Sequence, residues 1–137
     1  MPIDAAIRSL LPHKPPAIWI ERIVDCDGER AVCETRLPVV NEATNSGWPS
    51  TLGIEIMAQT AAVWLGINTQ NKTGGAGMLV RCNKLTLHQM EIPGDAALQC
   101  TVTPVLSGDQ PLHVFKGTIT LDNGTLLLEG EFAILLG

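Results

Sequence analysis

The chain has 137 residues, 45% of them hydrophobic and only 17% charged, with a net charge of −5. Apolar content this high excludes a disordered tail, and an acidic balance argues against an electrostatic grip on nucleic acid, which needs a basic surface. The length suits one domain over 1–137 with a sizeable core.

A short amphipathic helix is expected over Ile3–Leu11, stopped by Pro12. The run Ala17–Val24 is strand-like, and Asp27-Gly28 turns it into a second strand over Arg30–Leu37. A loop rich in Asn, Gly, Ser and Pro follows from Pro38 to Ser50. The one long helix is expected over Thr51–Asn68, with Ser50 or Thr51 as N-cap and Glu55 near its first turn. Its polar interior positions are Glu55, Gln59 and Thr60, so it is apolar nearly all round and must be wrapped on most sides. Four strands follow at Met78–Leu87, Ala97–Leu106, Leu112–Leu121 and Thr125–Leu135. Their breaks are Pro93-Gly94-Asp95, Ser107-Gly108-Asp109 and Asn123-Gly124, the last a type I′ hairpin signal. Two strands, a buried helix and four more strands describe an α+β domain whose antiparallel sheet wraps one long central helix. Such a sheet leaves an edge strand that a two-fold partner can join.

No apolar run approaches the ~20 residues that span a bilayer. Asp4 and Arg8 interrupt the place of a secretory signal, so a cytoplasmic protein without membrane contact is expected. Two Asn-x-Thr sites, at Asn71 and Asn123, carry no weight in that setting. Cys26, Cys33, Cys82 and Cys100 are widely spaced and form no CxxC pair, which reads as reduced, mostly buried thiols. No motif suggests a metal or another cofactor. Gly74-Gly75-Ala76-Gly77 lacks the GK[ST] of a phosphate loop and reads as a connection.

Several strings resemble the hotdog-fold 3-hydroxyacyl-acyl-carrier-protein dehydratases of fatty-acid synthesis. Leu11-Pro12-His13-Lys14-Pro15-Pro16 with Trp19-Ile20-Glu21-Arg22-Ile23 is similar to that family's LPHRxP…xVDRV opening. Gly53 to Gln59 (GIEIMAQ) is similar to its central-helix motif, and Asn83-Lys84 with Ile92-Pro93-Gly94-Asp95 to its DKxxF…xPGD segment. These matches run in the family's order over most of the chain. One element departs: the family's GHFPG histidine stands fourteen residues before the helix acid, and that count back from Glu55 lands on Asn41. The loop Gly47-Trp48-Pro49 followed by GIEIMAQ looks most like the second dehydratase of aryl-polyene pigment clusters. That resemblance implies a heterodimer with a sister hotdog subunit that carries the histidine, and an acyl carrier protein as the partner that delivers substrate. A homodimer is the other arrangement expected.

Dehydration of a 3-hydroxyacyl thioester needs a base to take the C2 proton and an acid to protonate the departing hydroxyl. Glu55 is the candidate acid: burial on an apolar helix favours its neutral form, whereas the helix N-terminus favours the anion. The plain alternative is a capping carboxylate. Gln59 shares its face at i+4 and either orients the acid, binds substrate or is satisfied by backbone. His13 is the fallback base, or else holds its own loop, while His88 and His113 read as sheet residues. Candidate substrate-binding residues are Ser50, Thr51, Leu52 and Gly53, through free backbone N–H groups at the helix start, and Trp48 before them. Ile54, Met57, Ala58, Ala61, Trp64 and Leu65 are either core or walls of an acyl tunnel. Lys72, Arg81 and Lys84 are either a patch that steers an acidic carrier protein or ordinary surface. The expected activity is therefore a hydro-lyase. A hotdog thioesterase, with Glu55 activating water, and a non-catalytic partner subunit are the rivals.

Overall fold

The structure, a computed structural model, describes residues 18–39, 47–68, 77–106 and 111–136. The expected helix over Ile3–Leu11, together with His13, Asn41, Asn71, Lys72, Gly74–Ala76 and the Ser107–Asp109 break, lies outside the described residues. The strands are β1 (Arg22–Cys26), β2 (Ala31–Arg36), β3 (Trp48–Pro49), β4 (Gly77–Leu87), β5 (Glu91–Ile92), β6 (Ala97–Leu106), β7 (Leu112–Leu121) and β8 (Leu126–Leu136). The helix α1 spans Leu52–Asn68.

Side-chain alternation decides which way the sheet curls. Along β7, Phe115, Gly117 and Ile119 are buried while Lys116 is exposed; along β8, Leu128, Phe132 and Ile134 are buried while Glu129 and Glu131 keep contact with solvent. Six antiparallel strands in the order β1-β2-β6-β7-β8-β4 close round α1, which packs on β2, β6 and β7. β3 and β5 form a separate two-stranded ribbon. The expected α+β architecture with a helix inside an antiparallel sheet is present.

The helix lies very close to the sheet. A Cβ on Gly53 would stand 2.6 Å from Leu128 Cδ1, and one on Gly117 of β7 would stand 2.6 Å from Met57 Sδ. Ile56, Met57, Ala61, Val63, Trp64 and Leu65 pack inward, and Phe115 sits between Trp64 and Phe132 with ring centroids 5.7 Å apart on each side. Gly53 meets Ile119, Met57 meets Gly117 and Trp64 meets Phe115, so α1 runs antiparallel to β7.

Three expectations need correction. Residues 18–21 belong to no strand, and β1 begins at Arg22 rather than at Ala17. Ile18 and Ile20 are buried by tertiary packing, which imitates strand alternation. The β7–β8 hairpin is not type I′, because only Gly124 has positive φ (91°). Gly124 N donates to Leu121 O (2.9 Å) and Leu121 N to Thr125 O (2.9 Å), a type I turn closed by a left-handed glycine. The ribbon of β3 and β5, two residues each, was not expected.

All four cysteines are free: Cys33 and Cys100 are buried, while Cys26 and Cys82 are partly exposed. Cys33 and Cys100 face each other across β2 and β6. Burial raises both thiols from 9.0 to about 12, partly offset by hydrogen bonding with Thr60 of α1. At pH 8 the thiolate fraction of each is on the order of 10⁻⁴. Iodoacetamide is therefore expected to modify Cys26 and Cys82 in the folded protein, and Cys33 and Cys100 only after denaturation, as read by peptide mass spectrometry. The unfolded chain releases these protons near pH 9.0 and the folded chain near 12, so the stability tied to the two thiols is intact below 9 and lost as pH rises above it. Among the described residues, no helix is long and apolar enough to cross a membrane.

Candidate functional site

The start of α1 is fixed by the turn at 88–90. Ser50 N donates to Met90 O (3.2 Å) and Ser50 Oγ to Gln89 O (2.5 Å). That turn is itself tied to β8, since His88 N and Gln89 N both donate to Leu127 O. Ser50 thus spends its N–H and hydroxyl on the turn, not on capping side-chain fashion as expected. Its carbonyl instead accepts from Gly53 N (2.9 Å), and Thr51 O accepts from Ile54 N (3.1 Å). Among the described residues, the N–H groups of Thr51 and Leu52 have no acceptor. They form an electropositive end aimed out of the helix.

Glu55 stands one turn further on, half-buried rather than fully enclosed. Gln59, fully buried, reaches it: Gln59 Nε2 lies 3.5 Å from Glu55 Oε1, and Gln59 Oε1 accepts the Trp19 backbone N–H at 2.7 Å. Trp19 joins the site through its backbone, and nothing in its residue type signals that. Beside Glu55, Ile54, Ala58 and Ala62 are also only half-buried, whereas Met57, Ala61, Trp64 and Leu65 are core. The apolar positions that sequence left undivided thus separate into an open stripe containing the acid and a closed face against the sheet.

Trp48 is half-buried and held from three directions. Its indole N–H donates to Pro38 O (2.8 Å), its ring meets Trp19 edge-on with centroids 5.6 Å apart, and its backbone pairs with Ile92. Next to it, Gly47 N donates to Glu91 Oε2 (2.7 Å). At the other end of the same loop, Asp95 N donates to Leu37 O (2.6 Å) and Arg36 Nη1 donates to Asp95 O (2.7 Å). The Pro93-Gly94-Asp95 turn, with Asp95 at φ 55°, therefore anchors the loop that leads to the helix.

His13 lies outside the described residues. His88 pairs with Glu129 (2.8 Å), on the sheet face opposite Leu128, the residue that touches the helix at Gly53. His113 is buried two residues before Phe115. Phe115 meets Trp64, which is about 13 Å along the helix axis from Glu55, and His113 stands further on, by the C-terminal end of α1. Among the described residues, no histidine is placed beside the acid. Nor do three or more His, Cys, Asp or Glu side chains gather there as a metal site. Arg81 and Lys84 are exposed; Lys84 opens on a shallow outer cleft shared with Lys116, Glu129 and Glu131, a surface of mixed charge and not a basic patch.

Residues 5–135 match the model of the ApeP-like family, described as ApeP dehydratase. The chain is 32% identical over 139 residues to the 3-hydroxyacyl-acyl-carrier-protein dehydratase FabZ of Syntrophomonas wolfei, covering 96% of this chain and 93% of that protein. Among solved structures, it is similar to the dehydratase heterocomplex ApeI:P from Xenorhabdus doucetiae, with a TM-score of 0.84 at 20% identity over 96% of this chain and 90% of that one. It is also similar to zebra fish thioesterase superfamily member 2, with a TM-score of 0.69 at 16% identity over 96% and 93% of the two chains. These two likenesses establish a shared hotdog fold.

Proposed function

The chain belongs to the ApeP-like dehydratase family, and from that premise we infer that it is a hydro-lyase that converts 3-hydroxyacyl groups, held as thioesters on an acyl carrier protein, to trans-2-enoyl groups. The observation that carries the reading is Glu55, supported by buried Gln59, on the open stripe of an otherwise enclosed helix and one turn from two unfilled N–H donors.

The chemistry follows from that arrangement. The thioester oxygen docks at the Thr51 and Leu52 N–H groups, which stabilise the negative charge that develops there as the C2 proton leaves. Glu55 in its neutral form protonates the 3-hydroxyl as its C–O bond breaks, so one water departs and the C2–C3 double bond forms. Trp48 walls the entrance. The base is a histidine from a second hotdog subunit, with His13 of this chain as the alternative. Such a subunit covers the Ile54–Ala58–Ala62 stripe and gives a dimer; the similar ApeI:P structure is itself a dehydratase heterocomplex. Four free cysteines suit a cytoplasmic setting.

The test is to incubate the purified chain, alone and with a histidine-bearing hotdog subunit, with 3-hydroxyacyl carrier protein and to follow loss of water by mass spectrometry. Dehydration only in the mixture is the expected result. Dehydration by the chain alone would move the base into this chain or its homodimer and make His13 the next residue to substitute. Release of free acid instead would overturn the reading in favour of a thioesterase.

A further inference from the structure

Taking Glu55 as the acid, we infer that Thr35, buried on the helix-facing side of β2, is a positioning residue that orients the Glu55 carboxyl through Trp19 and Gln59. Thr35 is buried in β2 (3% exposed), and its hydroxyl donates to the Trp19 carbonyl. Trp19 N–H donates in turn to Gln59 Oε1 at 2.7 Å. Residues 18–21 belong to no strand, so no continuous ladder holds this stretch; Glu21 N reaching Glu34 O (2.9 Å) is where pairing begins. Trp19 is therefore placed by its two backbone hydrogen bonds and by its edge contact with Trp48.

The polarity of this chain of bonds is dictated by chemistry. A backbone N–H only donates, so Gln59 must turn its oxygen to Trp19 and its NH₂ to Glu55. The usual ambiguity in a side-chain amide is removed. Glu55 Oε1, 3.5 Å from that NH₂, is then the oxygen that Gln59 holds. A carboxyl held in one orientation is what a general acid needs, since reacting atoms must be aligned before transfer. Without the Thr35 hydroxyl, the Trp19 carbonyl loses its partner in a buried place, the peptide turns to find another, and Gln59 loses the contact that sets its orientation.

The experiment compares Thr35→Val, which keeps the shape and removes the hydroxyl, with Thr35→Ser, which keeps the hydroxyl, and with Glu55→Gln. All are assayed in the dehydrating assembly, each below its own melting midpoint. Thr35→Val is expected to lower kcat about tenfold with KM changed less than about twofold, the split that marks a loss confined to the transition state. Thr35→Ser restores kcat to within about twofold of the parent. Thr35→Ala gives the same contrast if the valine variant does not fold. Parental kcat in Thr35→Val, or equal loss in Thr35→Ser, would overturn the positioning role and leave Glu55 untouched. Full turnover by Glu55→Gln would instead remove the reading on which it rests.

Discussion

Glu55→Gln is expected to lower dehydration by about 10²- to 10⁴-fold, the range that a positioned general acid contributes. The substitution keeps size and shape and leaves an oxygen to accept from Gln59 Nε2, so the fold and melting midpoint should stay near those of the parent. What disappears is a proton that can be given to the departing hydroxyl. The measurement is single-turnover loss of water from a 3-hydroxyacyl carrier protein in the active assembly, followed by mass spectrometry. Because the proposed thioester contacts at the helix-start N–H groups are kept, KM should move far less than kcat. Turnover within a few-fold of the parent would show that Glu55 does not transfer the proton, and the chain would then serve as a scaffold for chemistry carried by its partner.

The second large effect is on stability. Phe115 is fully buried, meets Trp64 edge-on and stacks on Phe132, each at 5.7 Å between centroids. Phe115→Ala empties the centre of the helix–sheet contact and should cost about 3–5 kcal/mol. For a chain of this size that corresponds to roughly 10–20 °C in Tm, measured by circular dichroism. Val105→Ala, at a position 53% exposed, is the matched control and should shift stability by less than about 0.5 kcal/mol. A midpoint for Phe115→Ala within a few degrees of the control would mean that the core is not organised around the aromatic contact.

The helix was legible in the sequence almost to the residue, Thr51–Asn68 against Leu52–Asn68, because a long apolar run after Pro49-Ser50 has few other ways to fold. Ala97–Leu106 and Leu112–Leu121 were legible in full, each marked by β-branched residues between strong turn signals. Residues 18–21 misled because Ile18 and Ile20 alternate with Trp19 as a strand would, although the Trp19 N–H is taken by a side chain of α1. The short ribbon of Trp48–Pro49 and Glu91–Ile92 left no periodic trace, since two residues are too few to show one. Of the candidate site, Glu55 stood out as a carboxylate on an apolar helix. The contributions of Trp19 and Thr35 were invisible: one acts through its backbone, and the other is an ordinary threonine until the fold sets its hydroxyl beside a carbonyl.

The tight seating of α1 at Gly53 and Gly117 has a consequence for selectivity. With less than the width of a methyl group to spare between helix and sheet at these two points, the described residues leave no lane for an acyl chain there, beneath the N-terminal half of α1. On the proposed function, a chain entering beside Glu55 runs along Ile54, Ala58 and Ala62, with this protein as floor and the neighbouring subunit as roof. The ruler that measures substrate length is then written in two polypeptides. Evolution can recalibrate it by exchanging the roof alone, without disturbing the proposed acid.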